Sequence, residues 1–70
     1  EISTELAEEH RKALEAIDGL PEIYKETVVL RIFEDMSYAE ISVITGDPIG
    51  RLRVRMCEAL KRLRKILESE

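Results

Sequence analysis

The stretch from Ser37 to Leu67, SYAEISVITGDPIGRLRVRMCEALKRLRKIL, decides how this chain folds. At its start, Ser37 and Glu40 have the spacing of a capping box, in which each side chain accepts a hydrogen bond from the backbone N–H of the other residue. This pattern predicts a short helix that begins at Tyr38. The apolar positions of this helix are Ile41 and Ile44, with Val43 beside them.

A tight turn separates the short helix from a longer one. Gly46 ends the first helix, because glycine readily adopts the left-handed conformation found after helix C-termini. Asp47 can cap the next helix with its carboxylate, and Pro48 suits the first helical position, where its missing N–H would have had no partner. The Gly46–Asp47 pair is therefore all that separates the two helices.

The longer helix has an apolar side and a cationic side. Residues at spacings of three and four predict one buried stripe, formed by Ile49, Leu52, Met56, Ala59, Leu60, Leu63 and Leu67. With residues placed about 100° apart, the opposite face carries Arg51, Val54, Arg55, Glu58, Arg62 and Lys65, and the flanks carry Arg53, Cys57, Lys61 and Arg64. A short helix, a tight turn and a long cationic helix are typical of a helix-turn-helix, whose second helix enters the major groove of DNA.

The net charge of −4 argues against a nucleic-acid partner, but the distribution of that charge argues for one. Residues 1–50 hold four Lys or Arg against twelve Asp or Glu, a net charge of −8, whereas residues 51–70 hold seven against three, a net charge of +4. A phosphate backbone responds to local potential, and here the positive potential is concentrated on the last helix. The alternative interpretation is a solvated charged face on an ordinary helix.

Two helices are predicted ahead of this motif. The first, Glu1 to Asp18, can be capped by Ser3 or Thr4, and its apolar side holds Leu6, Ala13, Leu14 and Ile17. The second, Pro21 to Asp35, has apolar residues on more than one face, which are Ile23, Tyr24, Thr27, Val28, Leu30, Ile32 and Phe33. We expect it to be the central helix, with core packing as the role of Tyr24, Phe33 and Tyr38. The sequence therefore predicts an all-α fold, a single small four-helix domain over residues 1–70 that contains a helix-turn-helix.

Several classes of function lack their characteristic residues. Cys57 is the single cysteine, which excludes an internal disulfide, and no Cys/His cluster is present to bind zinc. No apolar run approaches the roughly 20 residues of a membrane span and no signal peptide is visible at the start, so we expect a cytoplasmic location and no membrane partner. No nucleophile–base pair is present, and Gly46 and Gly50 are explained by the turn and by close helix packing. We therefore expect no enzyme activity, no cofactor and no bound metal.

The segment LPEIYKETVVLRIFEDMSYAEISVITGDPIG, from Leu20 to Gly50, resembles region 4 of bacterial sigma factors, especially the extracytoplasmic-function group. In that family an LP pair, a Val/Leu-rich helix ending in an R-x-F/Y-E-like segment, an S-Y-x-E-I/A motif and a G-x-P-x-G turn occur in this order and at this spacing. The resemblance is specific because several motifs match the family in order and spacing, whereas a lone S-x-x-E would be weak evidence.

The resemblance implies a four-helix domain that recognises the minus-35 promoter element on double-stranded DNA and docks on the flap of the RNA polymerase β subunit. It also implies binding to anti-sigma factors, which cover the same surfaces. By this resemblance the residues that face DNA are Arg51, Arg53, Val54, Arg55, Glu58 and Arg62, with Ser37, Tyr38 and Glu40 close to phosphate. Side-chain chemistry favours Arg51 and Arg55 for guanine, and Arg53, Lys61 and Arg62 for phosphates.

The last helix departs from the family pattern at four positions. After the turn the family usually reads G-T-V-K/R-S-R-L/I-x-R-A-R, and the positions that agree with it are Gly50, Arg53, Arg55 and Ala59. The departures are Arg51, Val54, Glu58 and Leu60. Glu58 would repel phosphate, although a glutamate can accept a hydrogen bond from cytosine N4.

A second hypothesis follows from these departures and from the acidic remainder of the chain. The protein would then be an interaction module that keeps the sigma-like shape but binds DNA weakly or not at all. It would act as a decoy for an anti-sigma factor, as a self-associating homo-oligomer, or as an engineered variant. Val54, as an exposed hydrophobe, supports this hypothesis, and so do the changes at Cys57, Glu58 and Leu60.

Overall fold

The computed structural model describes residues 4–69, with the backbone alone at Thr4 and Leu6. Within these residues the chain contains no strand, and its elements are α1 (Thr4–Asp18), α2 (Glu22–Val28), a π-helical segment (Val29–Phe33), α3 (Tyr38–Thr45) and α4 (Ile49–Glu68). The predicted all-α fold is confirmed, and α3 and α4 form the helix-turn-helix. The predicted cap at Ser3 or Thr4 and the predicted place of Leu6 on the apolar side of α1 depend on atoms outside the described part of the chain.

The two ends of α3 are formed by the predicted residues. The Ser37 N–H donates to Glu40 Oε1 at 2.8 Å, and the Glu40 N–H donates to Ser37 Oγ at 3.1 Å, so the capping box is complete. Gly46 follows the last residue with a φ of 82°, and its N–H donates to the Ser42 carbonyl at 2.8 Å. Because only glycine adopts this left-handed conformation without steric cost, the predicted C-terminus is confirmed.

Both prolines lie one position earlier than predicted. Pro21 and Pro48 have ψ values of 148° and 147°, which are extended, so they occupy the N-cap positions of α2 and α4. Their carbonyl oxygens still accept hydrogen bonds from the helix, as in the 3.1 Å bond from the Leu52 N–H to Pro48. The prediction that the Asp47 carboxylate caps α4 is wrong, because no side chain caps this helix and the carboxylate binds arginines instead.

The predicted central helix is confirmed and continues as the π-helical segment. α2 packs against α1 and α4, and the π-helical segment packs against α3. In this segment backbone hydrogen bonds span five residues, as in the 3.0 Å bond from the Glu34 N–H to the Val29 carbonyl. A wider turn changes which side chains face the core, and Ile32 and Phe33 are exposed. The predicted core role of Phe33 is therefore wrong.

The core lies where α1, α2 and α4 meet. Its buried apolar cluster consists of Leu20, Val28, Met56 and Ala59, with Ile17, Tyr24, Tyr38 and Leu63 packed against it. In the helix-turn-helix, Ile41 of α3 and Leu52 of α4 are fully buried. The hydroxyl of Thr27 is also buried and donates to the Ile23 carbonyl at 3.0 Å, so burying it leaves no unsatisfied donor.

The buried stripe of α4 is narrower than predicted. The predicted members Ile49, Leu60 and Leu67 are exposed, and so is Ile44 of α3. A domain of this size has too few neighbouring side chains to cover every apolar residue of a long helix. With residues about 100° apart, a buried stripe without Ile49, Leu60 and Leu67 leaves an outward face of α4 that is centred on Val54, Cys57 and Lys61. This outward face is displaced from the predicted row of arginines.

Candidate nucleic-acid interface

The turn between α3 and α4 is held by side-chain hydrogen bonds. Ser42 Oγ donates to the Asp47 carbonyl at 2.6 Å, and the Asp47 N–H donates to Thr45 Oγ1 at 3.2 Å. Thr45 Oγ1 in turn donates to the Ile41 carbonyl at 3.0 Å. These bonds connect the end of α3 to Asp47, two residues before the start of α4. The direction in which α4 leaves the turn is therefore determined by hydrogen bonds as well as by packing.

The first half of α4 presents an exposed surface next to this turn. The Arg51 side chain is 60% exposed and Val54 is 62% exposed, and Arg53 and Cys57 are also exposed. Gly50 lies in the first turn, and a Cβ built on it would meet no atom within 4 Å. The prediction that Gly50 permits close helix packing is therefore wrong, since no neighbouring helix lies against it.

Asp47 forms a clasp with two arginines of α4. Asp47 Oδ2 accepts a hydrogen bond from Arg55 Nη1 at 2.8 Å, and Asp47 Oδ1 lies 3.5 Å from Arg51 Nη1. The hydrogen bond from Arg55, together with the positive charges of both arginines, lowers the pKa of the Asp47 carboxyl below its usual value. Only 19% of the Arg55 side chain is exposed. Arg55 therefore braces the turn in this structure, while its guanine contact stays a prediction.

A second arrangement of cations surrounds the ring of Tyr38. Arg31 Cζ lies 5.2 Å from the ring centroid and Arg53 Cζ lies 5.6 Å from it, both within the range of cation–π attraction. Arg31 Nη1 also donates to the Met36 carbonyl at 3.3 Å. Sequence reasoning predicted Tyr38 and Arg53 as site residues but missed Arg31. Arg31 is the arginine of the R-x-F/Y-E-like segment, but that motif did not show that Arg31 and Arg53 lie at the same ring, because this depends on how three elements pack.

The remaining predicted residues lie further along α4. Arg62 Cζ lies 4.6 Å from the ring centroid of Tyr24, on the side of α4 that packs against α2. At about 1.5 Å of rise per residue, Arg62 is roughly 16 Å from Arg51 along the helix axis. Lys61 is exposed and its Nζ lies 3.8 Å from Glu58 Oε1, which is a weak ion pair. The structure therefore places Arg53 beside Tyr38 and puts Arg51, Arg53 and Val54 in the first half of α4, whereas Lys61 and Arg62 lie further along the helix.

Residues 4–69 contain neither a candidate metal site nor a helix that could span a membrane. No three His, Cys, Asp or Glu side chains lie close enough together to hold a metal ion in this part of the chain. Nor does any helix here combine the length and apolar character needed to cross a membrane.

Comparison with known proteins identifies the family. A family model described as Sigma-70, region 4, matches residues 10–63. The RNA polymerase sigma factor SigV of Bacillus subtilis (strain 168) is 43% identical over 56 residues, which cover 80% of this chain and 34% of SigV. The ECF RNA polymerase sigma factor SigK of Mycobacterium ulcerans (strain Agy99) is 29% identical over 62 residues, which cover 89% of this chain and 33% of SigK. The chain thus spans about a third of the length of these curated relatives. Because the family model covers most of the helices described above, the chain belongs to the Sigma-70 region 4 family, and the predicted extracytoplasmic-function type is confirmed by its relatives.

Proposed function

We propose that this domain binds double-stranded promoter DNA by placing the first half of α4 in the major groove, and that it recognises the minus-35 element. The observation that carries the proposal is the exposed surface of Arg51, Arg53 and Val54 beside a hydrogen-bonded turn. A recognition helix must hold its side chains at a defined register against base edges, and the turn supplies that rigidity. Membership of the sigma region 4 family supports the same function.

Each side chain of this surface has a chemical role in the proposal. Arg51 is the candidate for guanine O6 and N7, because its 3.5 Å contact with Asp47 is long and most of the side chain is exposed. Val54 is suited to contact a thymine methyl group. Arg53, with Ser37 and Tyr38 at the start of α3, is placed to contact the phosphate backbone.

The residues beyond the first half of α4 have secondary roles. Lys61 partly neutralises Glu58, which lowers the repulsion that this carboxylate would exert on phosphate. Lys61 and Arg62 reach phosphates only if the duplex follows α4 past its second turn. Arg55 acts mainly through Asp47, by holding the turn in place.

The contact with RNA polymerase is proposed for a different surface. A cavity of about 400 Å³ lies between the α1–α2 turn and the end of α4, and its lining includes Leu20, Pro21, Arg62, Lys65 and Ile66. Its apolar floor and two cations suit an amphipathic segment with acidic residues. We propose that the flap of the β subunit occupies it, and that residues 1–70 act as one domain with separate DNA and polymerase surfaces. As in other sigma region 4 domains, no catalytic role is proposed.

A salt titration of duplex binding tests the proposal. The equilibrium constant for a promoter fragment should be high at low salt, and its logarithm should fall linearly as the logarithm of the salt concentration rises. Substitution of Arg51 by Ala should reduce the preference for the promoter over an unrelated duplex, by about 1–3 kcal/mol if the contact is bidentate. Absence of binding at low salt, or binding insensitive to salt, would refute the proposal.

A second candidate function is protein binding by the same face, including an anti-sigma factor or a second copy of the chain. The observation in its favour is apolar exposure on the helix-turn-helix, where Val43 is 85% exposed and Ile44 and Val54 are each 62% exposed. Light scattering separates the two functions, since a stable dimer that loses promoter binding supports association. A monomer that binds promoter DNA supports the first function.

A further inference from the structure

We propose that Asp47 is a positioning residue for DNA recognition, whose carboxylate directs the Arg51 guanidinium to a base edge and keeps it from the phosphate backbone. The inference rests on the proposed function, in which Arg51 contacts guanine. Asp47 itself contacts no DNA in this arrangement and acts through Arg51. Its expected effect is on selectivity, because it lowers the affinity for unrelated duplexes more than the affinity for the promoter element.

The Asp47 carboxylate has a fixed orientation. The backbone of Asp47 is held by α3, through the 2.6 Å bond from Ser42 Oγ to its carbonyl and the 3.2 Å bond from its N–H to Thr45 Oγ1. Its Oδ2 accepts the 2.8 Å hydrogen bond from Arg55, and only 23% of the Asp47 side chain is exposed. Asp47 Oδ1 is the oxygen that remains for Arg51.

Arg51 is oriented by this oxygen but stays available to a ligand. Arg51 Nη1 lies 3.5 Å from Asp47 Oδ1, which is the one hydrogen bond of this side chain among residues 4–69. A guanidinium has five N–H donors, and 60% of the Arg51 side chain is exposed. The contact adds little to stability, because exposed ion pairs are weak. It does restrict the orientations of the guanidinium, which lowers the entropic cost of a bidentate contact with guanine.

The carboxylate also affects the two kinds of DNA acceptor differently. A phosphate that approaches Arg51 carries a full negative charge and is repelled by the neighbouring Asp47 carboxylate. Guanine O6 and N7 are acceptors of a neutral base, so the same carboxylate repels them much less. Arg53 offers the contrast, since it forms no ion pair within the described part of the chain and lies against the ring of Tyr38. The charge of Asp47 thus assigns Arg51 to base edges and leaves phosphates to Arg53.

This positioning belongs to the chain and not to the family pattern. Arg51 replaces the hydroxyl residue that usually follows Gly50 in the family, and Asp47 occupies an unspecified position of the G-x-P-x-G turn. The family motif therefore supplies neither of the two side chains that form the contact.

A double-mutant cycle tests this role, with selectivity measured as the ratio of the affinities for a promoter fragment and an unrelated duplex. Arg51→Ala should reduce this ratio by about 5- to 150-fold, the value of one bidentate contact. Asp47→Asn should also reduce it, while the affinity for the unrelated duplex rises by about two- to fivefold. For that duplex the slope of log K against log salt should become steeper by about 0.9, because the released Arg51 reaches a phosphate. The variant with both substitutions should lose no more selectivity than Arg51→Ala alone, and its slope should return to that of the unmodified protein.

Asp18→Asn is the matched control, because Asp18 of α1 is also an ion-paired carboxylate, 2.7 Å from Lys25 Nζ. It makes the same change of charge and breaks an ion pair between α1 and α2, so selectivity and salt slope should keep the values of the unmodified protein. A merely structural role of Asp47 gives a different result, since a weakened turn lowers the affinity for both duplexes. Loss of the positioning raises the affinity for the unrelated one.

A measurement on the unmodified protein covers the case in which Asp47→Asn folds poorly. The Nε–Hε resonance of Arg51 should shift on titration with the promoter fragment and move little with the unrelated duplex. Equal shifts with both duplexes, or additive losses of selectivity in the cycle, would overturn the positioning role and leave the proposed function in place. If the unmodified protein binds no duplex at any salt concentration, the proposed function fails and the positioning role fails with it.

Discussion

Replacement of Gly50 by alanine should stabilise the fold and weaken DNA binding at the same time. Gly50 is the second residue of α4, and a Cβ on it meets no atom within 4 Å, so alanine introduces no clash. Glycine inside a helix is less favourable than alanine by about 0.5–1 kcal/mol, because it loses more backbone entropy on folding. For a domain of this length, that gain corresponds to a rise in Tm of roughly 2–8 °C.

Gly46→Ala is the matched control, with an opposite expected sign. A Cβ on Gly46 also meets no atom within 4 Å, so an added methyl group would clash with no neighbouring residue at either glycine. The difference is the φ of 82° at Gly46, a conformation that costs an L-residue about 1–2 kcal/mol. Circular-dichroism melting curves of the two variants should therefore move in opposite directions from that of the unmodified protein.

The affinity of Gly50→Ala for DNA separates the effect of the substitution on stability from its effect on binding. The first turn of α4 is the part that the proposal places against the duplex, and the added methyl group occupies space on that surface. Affinity for the promoter fragment should fall even though the folded state is more stable. A lower Tm for Gly50→Ala would show that a neighbour does lie against this glycine, and unchanged affinity would show that the duplex does not approach it.

Three other perturbations follow from the same contacts. Leu52→Ala removes a fully buried side chain between α3 and α4 and should destabilise the domain by about 2–5 kcal/mol, measured by urea unfolding; a loss below 1 kcal/mol would contradict this packing. Asp47 has a lowered pKa in the folded state, so its clasp stabilises the fold above the unfolded-state pKa and the stabilisation disappears as the pH falls through the folded value. Asp47→Asn should therefore lower Tm at pH 7 and lose this effect as the pH falls through the lowered pKa of the folded state, and an effect that does not change with pH would exclude the ion pair as the cause. Arg51→Ala should leave Tm nearly unchanged, because the exposed contact of Arg51 with Asp47 is weak, whereas Arg55→Ala should lower Tm. A larger loss of Tm for Arg51→Ala than for Arg55→Ala would mean that Arg51, and not Arg55, holds the turn in place.

The sequence alone determined the helix order, the ends of α3 and the separation of charge. The Ser37–Glu40 capping box and the Gly46 terminus depend on hydrogen bonds and dihedral angles within three or four residues, so they act whatever the rest of the chain does. The acidic first part and the cationic last helix are likewise properties of composition. These local signals were also sufficient for the resemblance to sigma region 4.

Only the tertiary structure decided which faces are buried and which charges are paired. Apolar residues cover more of α4 than its neighbours can contact, so periodicity could not tell that Leu60 would be exposed while Ala59 is fully buried. Asp47 is the ion-pair partner of Arg55 and not the predicted cap, because the first two turns of α4 bring the Arg55 guanidinium back to the turn between α3 and α4. Arg31 and Arg53 meet at Tyr38 only because the π-helical segment, α3 and α4 pack together. Contacts between elements depend on the relative positions of whole helices, and no spacing along the chain specifies those positions.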